Sequence, residues 1–315
     1  MRLLDFQREF PDEEACIERF REQREKDGMK CPKCGGAHYH YIKGTKQYHC
    51  DGCGKRWSLR SGTVLENSKM PFLYWFVAMH LLTSTKHSFS AAEIQRQLGH
   101  KRYQPIWEIC HKLRSVMGRR DSEYALRGGV EIDEGFFSIE RDEEDKGETQ
   151  KRGAGSQKKA KVLVMAESEV ADNPKNPEKP KKVGHIKMSV IPDLKKKTIN
   201  EACVNSVDRD SVITTDGSSS HNDFKDLFAE HEGAVVPPSM IGRVLPWVHI
   251  AIANAKTTLA DLYHGVRREY LQGYLSEFCY KFNRRYFGDR LFDRLLMVCA
   301  SYTPDFEHRT YRKTA

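Results

Sequence analysis

Carboxylates set inside an apolar strand are the first sign of chemistry in this sequence. Gly129-Val130-Glu131-Ile132-Asp133-Glu134-Gly135-Phe136-Phe137 places apolar and β-branched bulk between glycines, as a buried strand does. An acid turned into a core costs free energy that only a metal, a partner or a reaction would offset. Side-chain alternation puts Glu131 and Asp133 on one face and Glu134 on the other, and does not choose between the first two. A second acid, Asp216, ends the β-branched run Ser211-Val212-Ile213-Thr214-Thr215 and is followed by Gly217-Ser218. Carboxylates at the C-terminal mouths of strands in mixed α/β sheets commonly hold ligands and metals; alone, the same residues would read as an Asp-Gly turn. Asn254 stands in an apolar helical run, where a buried amide needs partners and a satisfied core asparagine is the plain reading.

Four thiols make a second centre. Cys31-Pro32-Lys33-Cys34 and Cys50-Asp51-Gly52-Cys53 are separated by fifteen residues in which Tyr39, Tyr41, Ile42 and Tyr48 alternate as strands should. Two such turns at the ends of a hairpin close a tetrahedral Cys₄ site for Zn²⁺, a zinc ribbon, in preference to a pair of redox CxxC motifs. Four thiolates leave no open position for substrate, so the zinc is structural. Lys43, Lys46, Lys55 and Arg56, interleaved with Tyr and Trp, suit a phosphate backbone, although a ribbon can equally dock protein.

The elements that must position these groups follow from pattern. Residues 1–28 carry an amphipathic pattern whose Pro11-Asp12-Glu13-Glu14 resembles a helix start. The ribbon takes 29–66, and 67–122 is helical. There an apolar helix over 72–82 precedes Ser90-Ala91-Ala92-Glu93, a capping box whose helix runs to Leu98 and stops at Gly99. A second helix from Tyr103 to Met117 completes a helix-turn-helix layout, with Lys101, Arg102, Tyr103 and Gln104 where base contacts are made; two packed helices that never meet DNA are the alternative. From 123 to 290 the pattern is a mixed sheet with helices. Strands are expected at 130–137, 162–166, 184–191 and 210–215, and helices at 198–207, 247–262 and 268–285, with charged surface insertions at about 140–160 and 171–182. Residues 291–315 read as a C-terminal tail. The fold class is therefore multidomain α+β.

Composition narrows the partners. Lys and Arg number 52 against 44 Asp and Glu, a net +8, which leans toward an acidic partner. No apolar run is long enough to cross a bilayer and no signal-peptide layout opens the chain, so a soluble intracellular, cytoplasmic protein is expected. Nine cysteines, five of them scattered, fit that compartment.

In order, the ribbon, the paired helices, Ile132-Asp133-Glu134, Thr215-Asp216-Gly217, Val248-His249-x4-Asn254-x-Lys256 and Tyr274-Leu275-x-Glu277-Phe278-x3-Phe282-Asn283-Arg284-Arg285 resemble the zinc-ribbon insertion-sequence transposases related to the Merlin superfamily. The resemblance spans about residues 29 to 287. It implies an RNase H-like catalytic domain of the DDE type, its third acid replaced by asparagine and followed by lysine: Asp133, Asp216 and Asn254 as the triad, with Lys256 beside it. It further implies Mg²⁺ or Mn²⁺ at the triad, with Asp133 bridging two ions and Asp216 and Asn254 each holding one. A neutral Asn leaves the site with one less negative charge. Lys256 would meet a DNA phosphate, yet residues two apart on a helix share no face, so Asn254 and Lys256 cannot both point into the site without local adjustment. His249 is an alternative ligand, with a core residue or one that supports the ligands as the plainer reading. Arg284 and Arg285 join the expected DNA contacts. The implied partners are double-stranded DNA, as terminal inverted repeats and target, and a second protomer in a homodimer or higher oligomer. The competing reading is a DNA-binding regulator or domesticated relative that keeps the fold without cutting.

Overall fold

The computed structural model describes residues 1–26, 28–141, 156–171, 181–233, 244–263 and 265–306. They form two units, residues 1–119 with 286 onward, and residues 120–285. Most of the expected charged insertions, 142–155 and 172–180, lies outside the described residues.

In the first unit, α1 (Leu3–Glu9) and α2 (Glu13–Lys26) start where acids can meet free helix N–H groups. Asp12 Oδ1 accepts from the Ala15 N–H at 2.9 Å. The Glu13 carboxylate accepts from Phe72 and Leu73 N–H at 2.9 and 2.8 Å, capping α3 (Phe72–Ser84) from a distance. Helices α4 (Ala91–Leu98) and α5 (Tyr103–Ser122) follow. Ser90 accepts from the Glu93 N–H, and Gly99 takes the left-handed φ of 60° that ends α4. The ribbon has three antiparallel strands, β1 (Tyr39–Ile42), β2 (Gln47–Cys50) and β3 (Arg56–Ser58).

The expected tail is in part a core element. Leu291–Ser301 is a helix, α10, that buries Leu291, Phe292, Leu295, Leu296, Val298 and Cys299. Its Phe292 ring lies 5.6 Å from Phe10 and 5.9 Å from Phe76. The apolar spacing is helical, so the boundary expected at 290 gives way to a chain that rejoins the first unit at 286.

The second unit is built on a five-stranded sheet in the order β6-β5-β4-β7-β8. Strands β4 (Gly129–Ser138), β5 (Lys159–Val170) and β6 (Lys181–Ile191) are antiparallel neighbours. Strand β7 (Val212–Thr215) runs parallel to β4, and β8 (Glu230–Gly233) parallel to β7. Both faces are covered. Val162, Val164 and Ala166 of β5 pack with Phe137 against α8 (Pro246–Leu262) and α9 (Arg268–Asn283). Leu163 and Met165 turn with Val130 and Ile132 toward α6 (Lys196–Val204) and the short α7 (Phe224–Leu227). Helix α9 also covers the outer edge of β6. Asn283 accepts from the Ile186 N–H and donates to its carbonyl, and Gln272 does the same for the Val190 N–H and the Met188 carbonyl. Two side-chain amides thus stand in for a missing strand on an exposed edge.

Candidate active site

The parallel pairing of β4 with β7 fixes where the two aspartates meet. Gly129 pairs with Val212, Val130 with Ile213 and Glu131 with Thr214. Two residues further along each chain are Asp133 and Asp216, so the same register carries them level at the C-terminal end of β7. Adjacent strands lie about 4.8 Å apart. Burial holds the Asp133 carboxyl above its usual range; the Glu134 N–H and His249 oppose this, while the Glu134 and Asp216 carboxylates push it further up.

Each aspartate is faced by a histidine. His221, fully buried in a 3₁₀ turn (Ser219–His221), has Nε2 2.8 Å from Glu134 Oε1 and Nδ1 3.5 Å from Asp216 Oδ1. Asp216 Oδ1 also accepts from the Ser218 N–H at 3.0 Å. His249, in the first turns of α8, has Nε2 3.7 Å from Asp133 Oδ2, and that nitrogen is buried with no hydrogen-bond partner among the described residues. A desolvated carboxylate and an orphaned nitrogen 3.7 Å apart offer a divalent cation two donors.

Glu131 shares the Asp133 face but serves the scaffold. Only 1% exposed, it accepts from the Trp247 and Val248 N–H groups at 2.8 and 3.1 Å and so anchors the start of α8 to β4. Glu134 is half-buried on the opposite face, bound to His221. Of the residues expected at the site, the strands bring Asp133 and Asp216 together. Asn254 is exposed on α8, not buried among apolar side chains. Lys256 lies with Nζ 5.6 Å from the Phe137 ring centroid, four residues along β4 from Asp133.

The thiol centre is closed. Cys31, Cys34, Cys50 and Cys53 bring their Sγ atoms within 4.8 Å of one another, with Cys31–Cys53 and Cys34–Cys50 at 3.6 Å. Four sulfurs about 2.3 Å from one zinc would sit about 3.8 Å apart, so the residues fit the ion. Gly35 and Gly54, at φ 72° and 68°, end the two knuckles by donating to the Cys31 and Cys50 carbonyls. On the opposite ribbon face His40, His49 and Asp51 also gather, but Arg56 pairs with His49 in the same row, which suits an anion as well as a cation.

Among the expected DNA contacts, Lys43, Lys46, Lys55, Arg56, Lys101, Arg102, Tyr103 and Gln104 are exposed. Lys46 pairs with Glu14 at 3.2 Å. Arg284 and Arg285 are committed inside the second unit. Arg284 donates to Asp121 at 2.5 Å and stacks on Tyr280; Arg285 donates to the Val183, Gly184 and Phe282 carbonyls. An Arg-Arg pair at a helix end looks like a phosphate grip in sequence, yet here Arg284 ties the two ends of the unit together through Asp121 and Arg285 ties the end of α9 to β6.

Residues 125–283 match the ISXO2-like transposase domain family. The chain belongs to that family. Residues 11–56 match the transposase zinc-ribbon domain, which covers the cysteine knuckles just described. A protein of Halobacterium salinarum, described as an uncharacterized protein in the transposable element ISH50, is 27% identical over 159 residues, 46% of this chain and 51% of the relative. The chain thus aligns with about half the length of that transposable-element protein. No helix among the described residues of this transposase-family chain is long and apolar enough to cross a membrane.

Proposed function

We propose that this chain is an insertion-sequence transposase that binds the ends of its element and cleaves and transfers DNA strands with a divalent metal. The observation that carries the reading is the level position of Asp133 on β4 and Asp216 just past the end of its parallel neighbour β7, in a domain of the ISXO2-like family. The strand order, three antiparallel strands extended by two parallel ones, supports an RNase H-like core.

Asp133 and Asp216 would hold Mg²⁺ or Mn²⁺, which when bound activates an attacking oxygen and stabilises the leaving one. The protein's own part is positioning. His221 and Glu134 orient Asp216, and the Glu131 anchor sets α8 against the end of β4. Lys256 stands further along β4, where a cation can meet a DNA phosphate. The ribbon, held by zinc, and the α4–α5 pair with exposed Lys101, Arg102, Tyr103 and Gln104 would grip the terminal repeats, and joining two ends calls for two protomers.

The test is strand nicking of end-containing DNA with Mg²⁺ or Mn²⁺, comparing the parent with Asp133→Ala. The variant should lose at least about 100-fold in rate, the scale on which removal of one transition-state stabilising group is felt. Equal nicking by both proteins would sink the assignment and leave a non-cleaving DNA-binding protein as the reading.

A further inference from the structure

The geometry points to a second transition-metal site on the ribbon, distinct from the four thiols and formed by His40, His49 and Asp51. Antiparallel pairing sets His40 of β1 directly opposite His49 of β2, with ring centroids 5.0 Å apart. Asp51 comes from the turn between Cys50 and Cys53, and its Oδ1 lies 2.7 Å from His40 Nδ1. One ligand atom from each of the three lies within 4.8 Å of the other two.

The frame that gathers these side chains is the one the thiols hold. Side chains alternate across a strand, so His49 points away from the face that carries Tyr48 and Cys50. The Asp51 N–H donates to the His38 carbonyl at 3.1 Å, which fixes the second knuckle against the start of β1. A zinc bound by Cys50 and Cys53 therefore positions three donors that it does not touch. A plain hydrogen bond would account for Asp51 and His40, but it leaves His49 Nδ1 buried with no hydrogen-bond partner among the described residues. A cation shared by all three engages the second imidazole as well.

Two imidazoles and a carboxylate suit borderline ions such as Zn²⁺ and Co²⁺, whereas Mg²⁺ and Ca²⁺ take oxygen. Donor atoms about 2.1 Å from one ion stand about 3–3.5 Å apart, so His40 and Asp51 must part slightly to share one. Both side chains are more than half exposed and can do so. Three exposed ligands hold an ion less tightly than four thiolates, so dialysed protein should keep the thiolate zinc and take up a second ion reversibly. Arg56 stands opposite His49 on β3 and shares this face. An anion held by Arg56 and the imidazoles would lie beside the Asp51 carboxylate. A cation instead gains that carboxylate as a ligand, and the exposed Arg56 can turn to solvent.

Co²⁺ added to full-length, tag-free protein that retains its thiolate zinc tests this, with Asp133→Ala as the background to weaken any uptake at the aspartate pair. That protein should take up one Co²⁺ with weak d–d absorption and no thiolate-to-cobalt charge-transfer band, the mark of nitrogen and oxygen ligands, while its zinc content stays at one per chain. His40→Gln and Asp51→Asn, which leave every cysteine in place, should each bind Co²⁺ at least about tenfold more weakly, since loss of even a supporting group costs that much. Arg56→Ala should bind Co²⁺ at least as tightly as the background protein, because a neighbouring positive charge is gone. No Co²⁺ uptake, or uptake that neither His40→Gln nor Asp51→Asn weakens, would overturn the proposal. So would binding of inorganic phosphate that needs no Co²⁺ and is lost in Arg56→Ala, which would make the row an anion site.

Discussion

Glu167 shows how one buried acid can hold three segments of the second unit. Its carboxylate, barely exposed on β5, accepts from Tyr124 Oη at 2.7 Å, from the Arg127 N–H at 3.0 Å and from the His185 N–H at 2.6 Å, with His185 Nδ1 at 3.3 Å. Burial alone would raise its pKa, but the hydrogen bonds from His185, Tyr124 and Arg127 together outweigh burial and hold it below the usual 4.5. Because the folded state binds this proton more weakly than the unfolded chain does, the stability it adds is present above the unfolded value and lost as pH falls through the folded one. Glu167→Gln should therefore cost about 2–4 kcal/mol at pH 7, since a buried charged acceptor with several donors is lost. Thermal melts of both proteins from pH 7 to pH 3 should show the gap closing with acid; a gap independent of pH would remove the charge from the explanation. Gly184 belongs to the same arrangement, since a Cβ there would stand 2.3 Å from Glu167 Oε2. At this scale the sequence was legible where the chemistry is local. Asp133 and Asp216 stand out as acids among β-branched residues, whereas His221 and Glu134 find each other across 87 residues through a turn that no spacing announces. That Asn254 is exposed was not legible, because its helical phase depends on which flank of α8 meets β4.

Elements with strong periodicity were readable, and those defined by partners were not. The helices at 246–262 and 268–283 and the strands at 129–138 and 212–215 lie close to their expected positions, because their apolar faces are long and regular. Strand β8, four residues long and mostly exposed, exists through its pairing with β7 and carries no apolar signal of its own. The ribbon sits between these cases. Its short strands bury Tyr48 and Trp57, but an apolar centre of that size cannot hold three strands of three or four residues, so the metal has to supply the rest. Chelation should remove one zinc per chain, measured by elemental analysis, and expose residues 31–58 to protease while the cleavage pattern of residues 120–285 stays unchanged. Cys50→Ser should do the same without chelator. A ribbon that stays protease-resistant with no zinc bound would show that its strands need no metal.

Across the whole molecule, charge is divided as function would require. Residues 120–285 carry 26 Lys and Arg against 27 Asp and Glu, so the net +8 of the chain resides in the unit holding the ribbon and the α4–α5 pair. Binding to DNA ends should then depend on the first unit and fall steeply with salt, while cleavage depends on the acids of the second. Asp133→Ala removes one carboxylate from that second unit and touches none of the exposed cations of the first, so the variant should bind ends with the parent's affinity and salt dependence. It can therefore act as a silent partner. If joining two ends requires two competent protomers, an equal mixture of parent and Asp133→Ala at fixed total protein should retain about a quarter of the parent's paired-end cleavage, since only one assembly in four holds two active chains. A protein that cleaves each end as an independent monomer would retain about half, because inactive chains would then merely dilute active ones. Measuring cleavage across a series of mixing ratios separates the two curves, and a linear dependence on the active fraction would remove the dimer from the proposed mechanism.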